Sequence, residues 1–356
     1  MYFQFLSLIA VLVTLLVCLN AESLGRLFGV MAVPDGRRRT HDTATPQVGG
    51  VAILCGFAVW LMGSLWPERI HDPILGAVLL SAVGLGLVGF VDDRHEVPPV
   101  LRILLLLIFV AIAFALDPTL IAQKLHWYSF GDLTISNWFY VLLMAITAIG
   151  LVNSVNMADG QNGLVGSMFV TWTACLAMLT NGPLAMTSGI LCATCMVFLF
   201  FNLRGKIFLG DCGSYGVTFA IGLLVTLAHA RGALPLETVV VWFFIPVIDC
   251  LRLIIARPLR GRSLFQGGRD HFHHRLTDSL GRRLSAVVYI GAVSASSLVA
   301  TLAPQFSLVC LCALTGFYFS FAHLSDTDVG QEGEGKRPVD HSNKVIPLAG
   351  DHGRKR

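Results

Sequence analysis

The sequence predicts an all-α polytopic membrane protein, and three observations carry that expectation. Of 356 residues, 55% are hydrophobic and 13% charged, against roughly 25% charged in an ordinary soluble domain. The apolar residues come in runs long enough to cross a bilayer, and a run such as "LRILLLLIFVAIAFAL" does not alternate as a barrel strand must. The basic residues gather in every second connection, which gives such a bundle one orientation. The net charge of +3 is small, so its placement says more than its sum. Nothing in it calls for a nucleic-acid partner.

Taken in order, apolar runs lie near 2–20, 48–66, 74–91, 99–117, 137–153, 164–180, 184–202, 213–230, 236–256, 284–302 and 305–323, giving about 10–11 transmembrane helices. The first run has no basic segment before it and no small-residue cleavage site, so it reads as a retained span. With the N-terminus outside, the cytoplasmic connections are 21–47, 92–98, 154–163, 203–212, 257–283 and the tail. They hold most of the arginines, whereas the opposite loops hold little beyond Arg69, Lys124 and Arg231. Residues 1–323 form the transmembrane domain. Residues 324–356 are polar, glycine-rich and aperiodic, and are expected to be a disordered cytoplasmic tail. Almost all of the nine cysteines fall inside apolar runs. Cys192 and Cys195 have CxxC spacing but lie mid-span without partners, so they read as packing residues.

Five polar clusters escape hydropathy, and the span count puts all five on the cytoplasmic side. They are "GRRRTHDTATPQVGG", "VDDRHEVPP", "NSVNMADGQNG", "RGKIFLGDCGS" and "GGRDHFHHRLTD". One composite site at the membrane–cytosol interface would account for them. Carboxylates beside asparagines are hard oxygen ligands suited to Mg²⁺ or Mn²⁺. Arginines and histidines in one loop suit phosphate oxygens. Acid, metal and base without a nucleophilic Ser or Cys beside a base describe phosphoryl transfer, which needs charge neutralisation and alignment. A site at headgroup level implies that one substrate is a membrane lipid.

Each cluster also has a plainer reading. Asp92-Asp93 could be an acidic turn at a helix end, the asparagine cluster an Asx turn with a glycine stop, and Asp211 part of a turn between helices. The histidine loop could hold zinc, but with neither cysteines nor HExxH spacing it reads better as an anion clamp. Asp249 has Arg252 one turn on, most simply a local pair shielding both charges. A transporter is the rival from another class. Against it, the polar residues lie at one face and not at the midplane, and no paired broken helices divide the chain into halves. The signature of a CDP-alcohol phosphotransferase is absent.

"VDDR", "NSVNMADG", "KIFLGDCGS" and "RDHFHHRL", in this order, closely resemble the polyprenyl-phosphate N-acetylhexosamine-1-phosphate transferases. The nearest branch is that of the bacterial undecaprenyl-phosphate GlcNAc-1-phosphate transferases. The resemblance runs from about Val33 to Arg283. It implies transfer of HexNAc-1-phosphate, GlcNAc by default, from a UDP-HexNAc donor to undecaprenyl phosphate, with release of UMP. The lipid product would start a cell-surface glycan such as O-antigen. Relatives that use 6-deoxy donors such as UDP-N-acetylfucosamine leave the sugar open. The implied setting is the bacterial inner membrane, with the site facing the cytoplasm and Mg²⁺ (or Mn²⁺) as cofactor. A homodimer is an open expectation.

Carried onto this chain, the resemblance makes Asp211 the principal metal ligand and Asn156 a second one. Asp92 and Asp93 would deprotonate or orient the lipid phosphate, and Asp159 is the family's acid in the asparagine motif. Arg102, Arg38, Arg39 and His41 match basic positions expected near the lipid phosphate. Arg269, His271, His273, His274 and Arg275 would hold the pyrophosphate or sugar, with Asn153 and Lys206 as further substrate contacts. Bacterial relatives mostly read "DGxDGL" where this chain has "DGQNGL". In the family that position faces the nucleobase, and the Asn162 amide can match both a donor and an acceptor on uracil. The histidine loop reads "HFHHR" in place of the commoner "HIHH". The lipid phosphate would attack the β-phosphorus directly, or a two-step route would pass through a covalent aspartate.

Overall fold

The computed structural model describes residues 1–33, 44–65, 72–122, 124–259, 261 and 270–324. Arg38, Arg39, His41, Arg269 and the tail from 325 lie outside the described residues. The helices are α1 (Tyr2–Leu19), α2 (Ala21–Phe28), α3 (Gly49–Leu65), α4 (Pro73–His95), α5 (Pro99–Leu116), α6 (Asn137–Ala158), α7 (Leu164–Leu179), α8 (Gly182–Asn202), α9 (Gly210–Ala230), α10 (Leu236–Leu259), α11 (Phe272–Leu280), α12 (Arg282–Leu302) and α13 (Ser307–Leu324). Among the described residues nine stretches are long and apolar enough to cross a membrane, and α3 and α7 are shorter apolar helices. These eleven occupy the positions that the apolar runs predict. The protein is an all-α polytopic membrane protein. α2 and α11 are short, and two small antiparallel pairs complete it: β1 (Met31–Ala32) with β2 (Thr45–Pro46), and β3 (Lys124–Trp127) with β4 (Gly131–Thr134).

Local chemistry sets the helix ends. Pro73 follows Asp72, whose side chain accepts from the Ile74 amide and starts α4. Ser136 does the same for α6 through the Phe139 amide. α4 stops where Glu96 takes a left-handed conformation (φ 46°), one turn past the acid pair.

The bundle is organised around α9, nearly every residue of which is buried. Such burial needs neighbours that approach backbone to backbone, which small residues permit. A Cβ at Gly89 of α4 would fall on the Asp211 carbonyl, and one at Gly50 of α3 on the Gly213 amide. The strand-like segment before α9 is held as well. The Gly49 and Gly50 amides donate to the Phe208 and Leu209 carbonyls, and the Phe208 amide donates to the Pro46 carbonyl. The start of α9 is thus pinned between α3 and α4, and this pinning places the site.

Candidate active site

Asp93 fixes the entry of α9. Its Oδ1 accepts from the Asp211 amide (2.9 Å) and its Oδ2 from the Cys212 amide (3.1 Å), so a carboxylate of α4 supplies the cap that the N-terminus of α9 needs. Gln47 adds a longer bond to Oδ1 at 3.4 Å. Gly210 precedes with φ +72°, and a Cβ there would stand 2.7 Å from Asp93 Oδ2, so only glycine admits the cap. Asp92, the neighbour, is buried. Its Oδ1 accepts from the Val97 amide (2.7 Å), and its Oδ2 accepts from Arg102 Nη1 (2.8 Å) and the Tyr215 hydroxyl (2.7 Å). The Asp211 carboxyl stands close to those of Asp92 and Asp93.

The asparagine motif ends α6 and faces this cluster. Ser214 Oγ donates to Asn156 Oδ1 at 3.1 Å, and Asn156 Nδ2 points at the Tyr215 hydroxyl from 3.4 Å. Asn156, Asp159, Asn162 and Asp211 border one cavity of about 230 Å³, along with Gln47, Asn202 and Arg282. The Asp159 carboxyl is pushed up to about 7 by burial and by the nearby charge of Asp93. Asn202 is buried and ties the walls together. Its Oδ1 accepts from the Gly163 amide (2.6 Å) and its Nδ2 donates to the Ile207 carbonyl (2.8 Å).

Arg102 stands on the other side of Tyr215. A small cavity there is bordered by Arg102, Asn153, Tyr215 and Val152. Val152 also borders an apolar groove of about 480 Å³ between α5, α6, α9 and α10. Asn153 therefore sits with Arg102, apart from Asn156 one turn later.

The histidine segment, expected to clamp an anion, packs around the start of α11. His271, His273 and Arg275 are buried. Arg275 Nη1 donates to the Ala322 carbonyl near the end of α13. His273 stacks on His271 (5.7 Å, 10°) and packs against Gly160, where a Cβ would strike its Nε2. Burial, with His274 and His271 beside it, lowers the His273 imidazole to about 3, so it is neutral at physiological pH. The pair expected between Asp249 and Arg252 is present at 2.8 Å, but Asp249 does more. Its Oδ2 accepts from the Phe272 amide (3.1 Å) and lies 3.4 Å from His271 Nδ1, while its Oδ1 accepts from Tyr318 (2.9 Å). Asp249 thus caps α11 from α10. Lys206 is exposed in the turn after α8.

Sequence reasoning missed Tyr215, Asn202, Gln47 and Arg282. Only Arg282 left a signal, as a charge beginning a span. Among the described residues no group of three His, Cys, Asp or Glu side chains forms a metal-holding cluster. Mg²⁺ does not demand one, since it commonly takes one or two carboxylates and fills its octahedron with waters and substrate phosphates. Asp211 and Asp159 with the Asn156 amide supply oxygens of that kind around the cavity.

The helical membrane bundle thus carries an acid- and amide-lined cavity at one end, set beside a cationic pocket and an apolar groove. Residues 75–229 match the model of glycosyl transferase family 4, a stretch that runs from α4 through α9 and contains the acid pair, Arg102, the asparagine motif and Asp211. The chain is 26% identical over 322 residues to the decaprenyl-phosphate N-acetylglucosaminephosphotransferase of Mycobacterium tuberculosis, covering 80% of this chain and 78% of that one. It is 25% identical over 294 residues to the probable undecaprenyl-phosphate N-acetylglucosaminyl 1-phosphate transferase of Bacillus subtilis, covering 79% of each. It is 27% identical over 274 residues to the phospho-N-acetylmuramoyl-pentapeptide-transferase of Caldicellulosiruptor bescii, covering 70% of this chain and 80% of that one. The likeness to glycosyl transferase family 4 thus covers the helices that carry the candidate site.

Proposed function

We propose that this protein transfers HexNAc-1-phosphate, with GlcNAc as the first candidate, from a UDP-sugar to undecaprenyl phosphate and releases UMP. The supporting observation is the pairing of two pockets across one tyrosine. On one side lies the cavity of Asp159, Asp211 and Asn156, suited to a diphosphate bound with a divalent cation. On the other lies Arg102 with Asn153, in a small cavity that shares Val152 with the apolar groove, suited to a phosphate carried on an isoprenoid tail. The names of the relatives fit both substrates.

In this reading Asp211 and Asn156, joined by Asp159, hold Mg²⁺ or Mn²⁺. The cation, when bound, offsets the charge of the diphosphate and of the departing UMP. Arg102 takes the acceptor phosphate, and Asp92 holds Arg102 in place and stands ready for a proton. Asp93 caps α9 and thereby aims Asp211. Asn162 reads the uracil edge. The attack is in line and direct, and the cavity faces the cytoplasm of a bacterial inner membrane, where the arginine-rich connections lie. The product would begin a surface glycan such as O-antigen.

The experiment is an assay of purified protein with undecaprenyl phosphate and a panel of UDP-HexNAc donors, including 6-deoxy sugars. Lipid diphosphate-sugar and UMP should form in equal amounts, abolished by chelator and restored by Mg²⁺. UMP release without the lipid acceptor would exclude the direct route. Absence of lipid product with every donor would exclude the function.

A further inference from the structure

We infer that Tyr215 is an acceptor-positioning residue, its hydroxyl locking the Arg102 guanidinium in the small cavity beside the donor cavity. This rests on the two-pocket reading above. Tyr215 stands one helical turn beyond Asp211 on α9, so both side chains leave the same face of the helix. Its side chain is buried, at 5% exposure, and the surrounding packing fixes where the hydroxyl can be.

That hydroxyl joins α9 to three other helices. It donates to Asp92 Oδ2 of α4 (2.7 Å), accepts from Arg102 Nη1 of α5 (2.8 Å), and is approached by Asn156 Nδ2 of α6 at 3.4 Å. A phenol has one proton to give and two lone pairs. The proton and both lone pairs are engaged here, so its orientation is determined. Arg102 Nη1 also reaches Asp92 Oδ2 at 2.8 Å, and the three groups close a triangle. One edge of the guanidinium fork is spent on that triangle. Its plane is then set by two partners, where a carboxylate alone would leave it free to swing. A planar fork held at a fixed angle is what directional recognition of a phosphate requires.

The placement is asymmetric, which makes the inference testable. Tyr215 borders the Arg102 cavity and does not border the cavity of Asp159 and Asp211. It touches the donor side only through the long Asn156 contact. Removing the hydroxyl should therefore harm the acceptor and spare the donor. A residue that merely filled space would harm neither or both.

The test is Tyr215→Phe in the full-length protein, reconstituted in lipid nanodiscs, with both substrates varied and the melting temperature recorded. We expect KM for the polyprenyl phosphate to rise roughly tenfold, as for loss of one hydrogen bond to a charged group. KM for the UDP-sugar should stay within about twofold. Arg102→Lys keeps the charge, loses the fork and leaves α9 untouched, so it should give the same signature. The double variant should be no worse than the poorer single one, because both act through one guanidinium. An unchanged acceptor KM, a parallel rise in both KM values, a fall in kcat alone, or full additivity in the double variant would overturn the inference. If the Phe variant proves unstable, an unchanged acceptor KM in Arg102→Lys overturns it instead. A wild-type protein that makes no lipid product from any UDP-HexNAc sinks the two-pocket reading as well. An active wild type with an indifferent variant sinks only the role of Tyr215.

Discussion

Two acidic clusters stand at the same end of the bundle, and their partners differ. Around Asp249 every acid has a cation. Arg252 pairs with Asp249 at 2.8 Å, and Arg257 pairs with Asp270 at 2.9 Å. Burial alone would raise the Asp270 carboxyl, but the bond and charge of Arg257 outweigh it and hold the group below the usual carboxylate range. Around Asp211 the acids Asp92, Asp93 and Asp211 converge, with Asp159 nearby, and Arg102 is the cation that the described residues bring into direct contact. Buried charge is costly unless paired. In the proposed function a divalent cation and a substrate join the cluster around Asp211, whereas the one around Asp249 ties helices together through its own arginines.

That contrast can be broken most directly at Asp211. Asp211→Asn should cut turnover by about three orders of magnitude while leaving the melting temperature in metal-free buffer unchanged or higher, as read by the lipid-product assay and a thermal melt. A variant with near-normal turnover at ordinary Mg²⁺ would end the contrast. The converse is Asp249→Ala. It strands Arg252 and removes the cap of α11, and should cost stability of about 3–5 kcal/mol, seen as a lower melting temperature before any loss of activity per folded molecule.

A subtler effect belongs to Asp159. Its carboxyl titrates at about 7 in the folded protein and near 4 when unfolded. The folded state therefore binds the proton more tightly, and stability falls as pH climbs from about 4 to 7, after which the loss is complete. Asp159→Asn, melted in chelator, should match the wild type near pH 4 and exceed it at pH 8. Equal melting temperatures at both pH values would show that the site imposes no such strain. Smallest is Arg282→Ala, which removes a cation from the rim of the cavity. It should raise KM for the UDP-sugar by a few-fold with kcat unchanged, and the effect should shrink as salt rises.

The spans were legible because a bilayer demands a length of apolar chain that few other structures use. The partnership of Asn156, Asp159, Asn162 and Asp211 was legible too, since polar residues at span ends have few places to go. What escaped was orientation. "HFHHR" reads as a cluster of anion-binding groups, and its spacing does not show that Arg275 bonds the Ala322 carbonyl or that His273 packs against Gly160. Asp92 and Asp93 are adjacent in sequence, but one meets Arg102 and the other caps a helix. Tyr215 sits in an apolar run, and no periodicity reveals what its hydroxyl touches. These facts arise from helices far apart in the chain, and spacing along the chain is silent about them.

Asp93 and the amides it caps are 118 and 119 positions apart. During synthesis α4 enters the membrane long before α9 exists, and its carboxylate waits through the insertion of four more spans. Only when α9 slides in beside the glycines of α3 and α4 do Asp211, Tyr215 and the acid pair meet. The cluster at the start of α9 is therefore absent until most of the bundle has been built, and a nascent chain halted before α9 lacks it altogether.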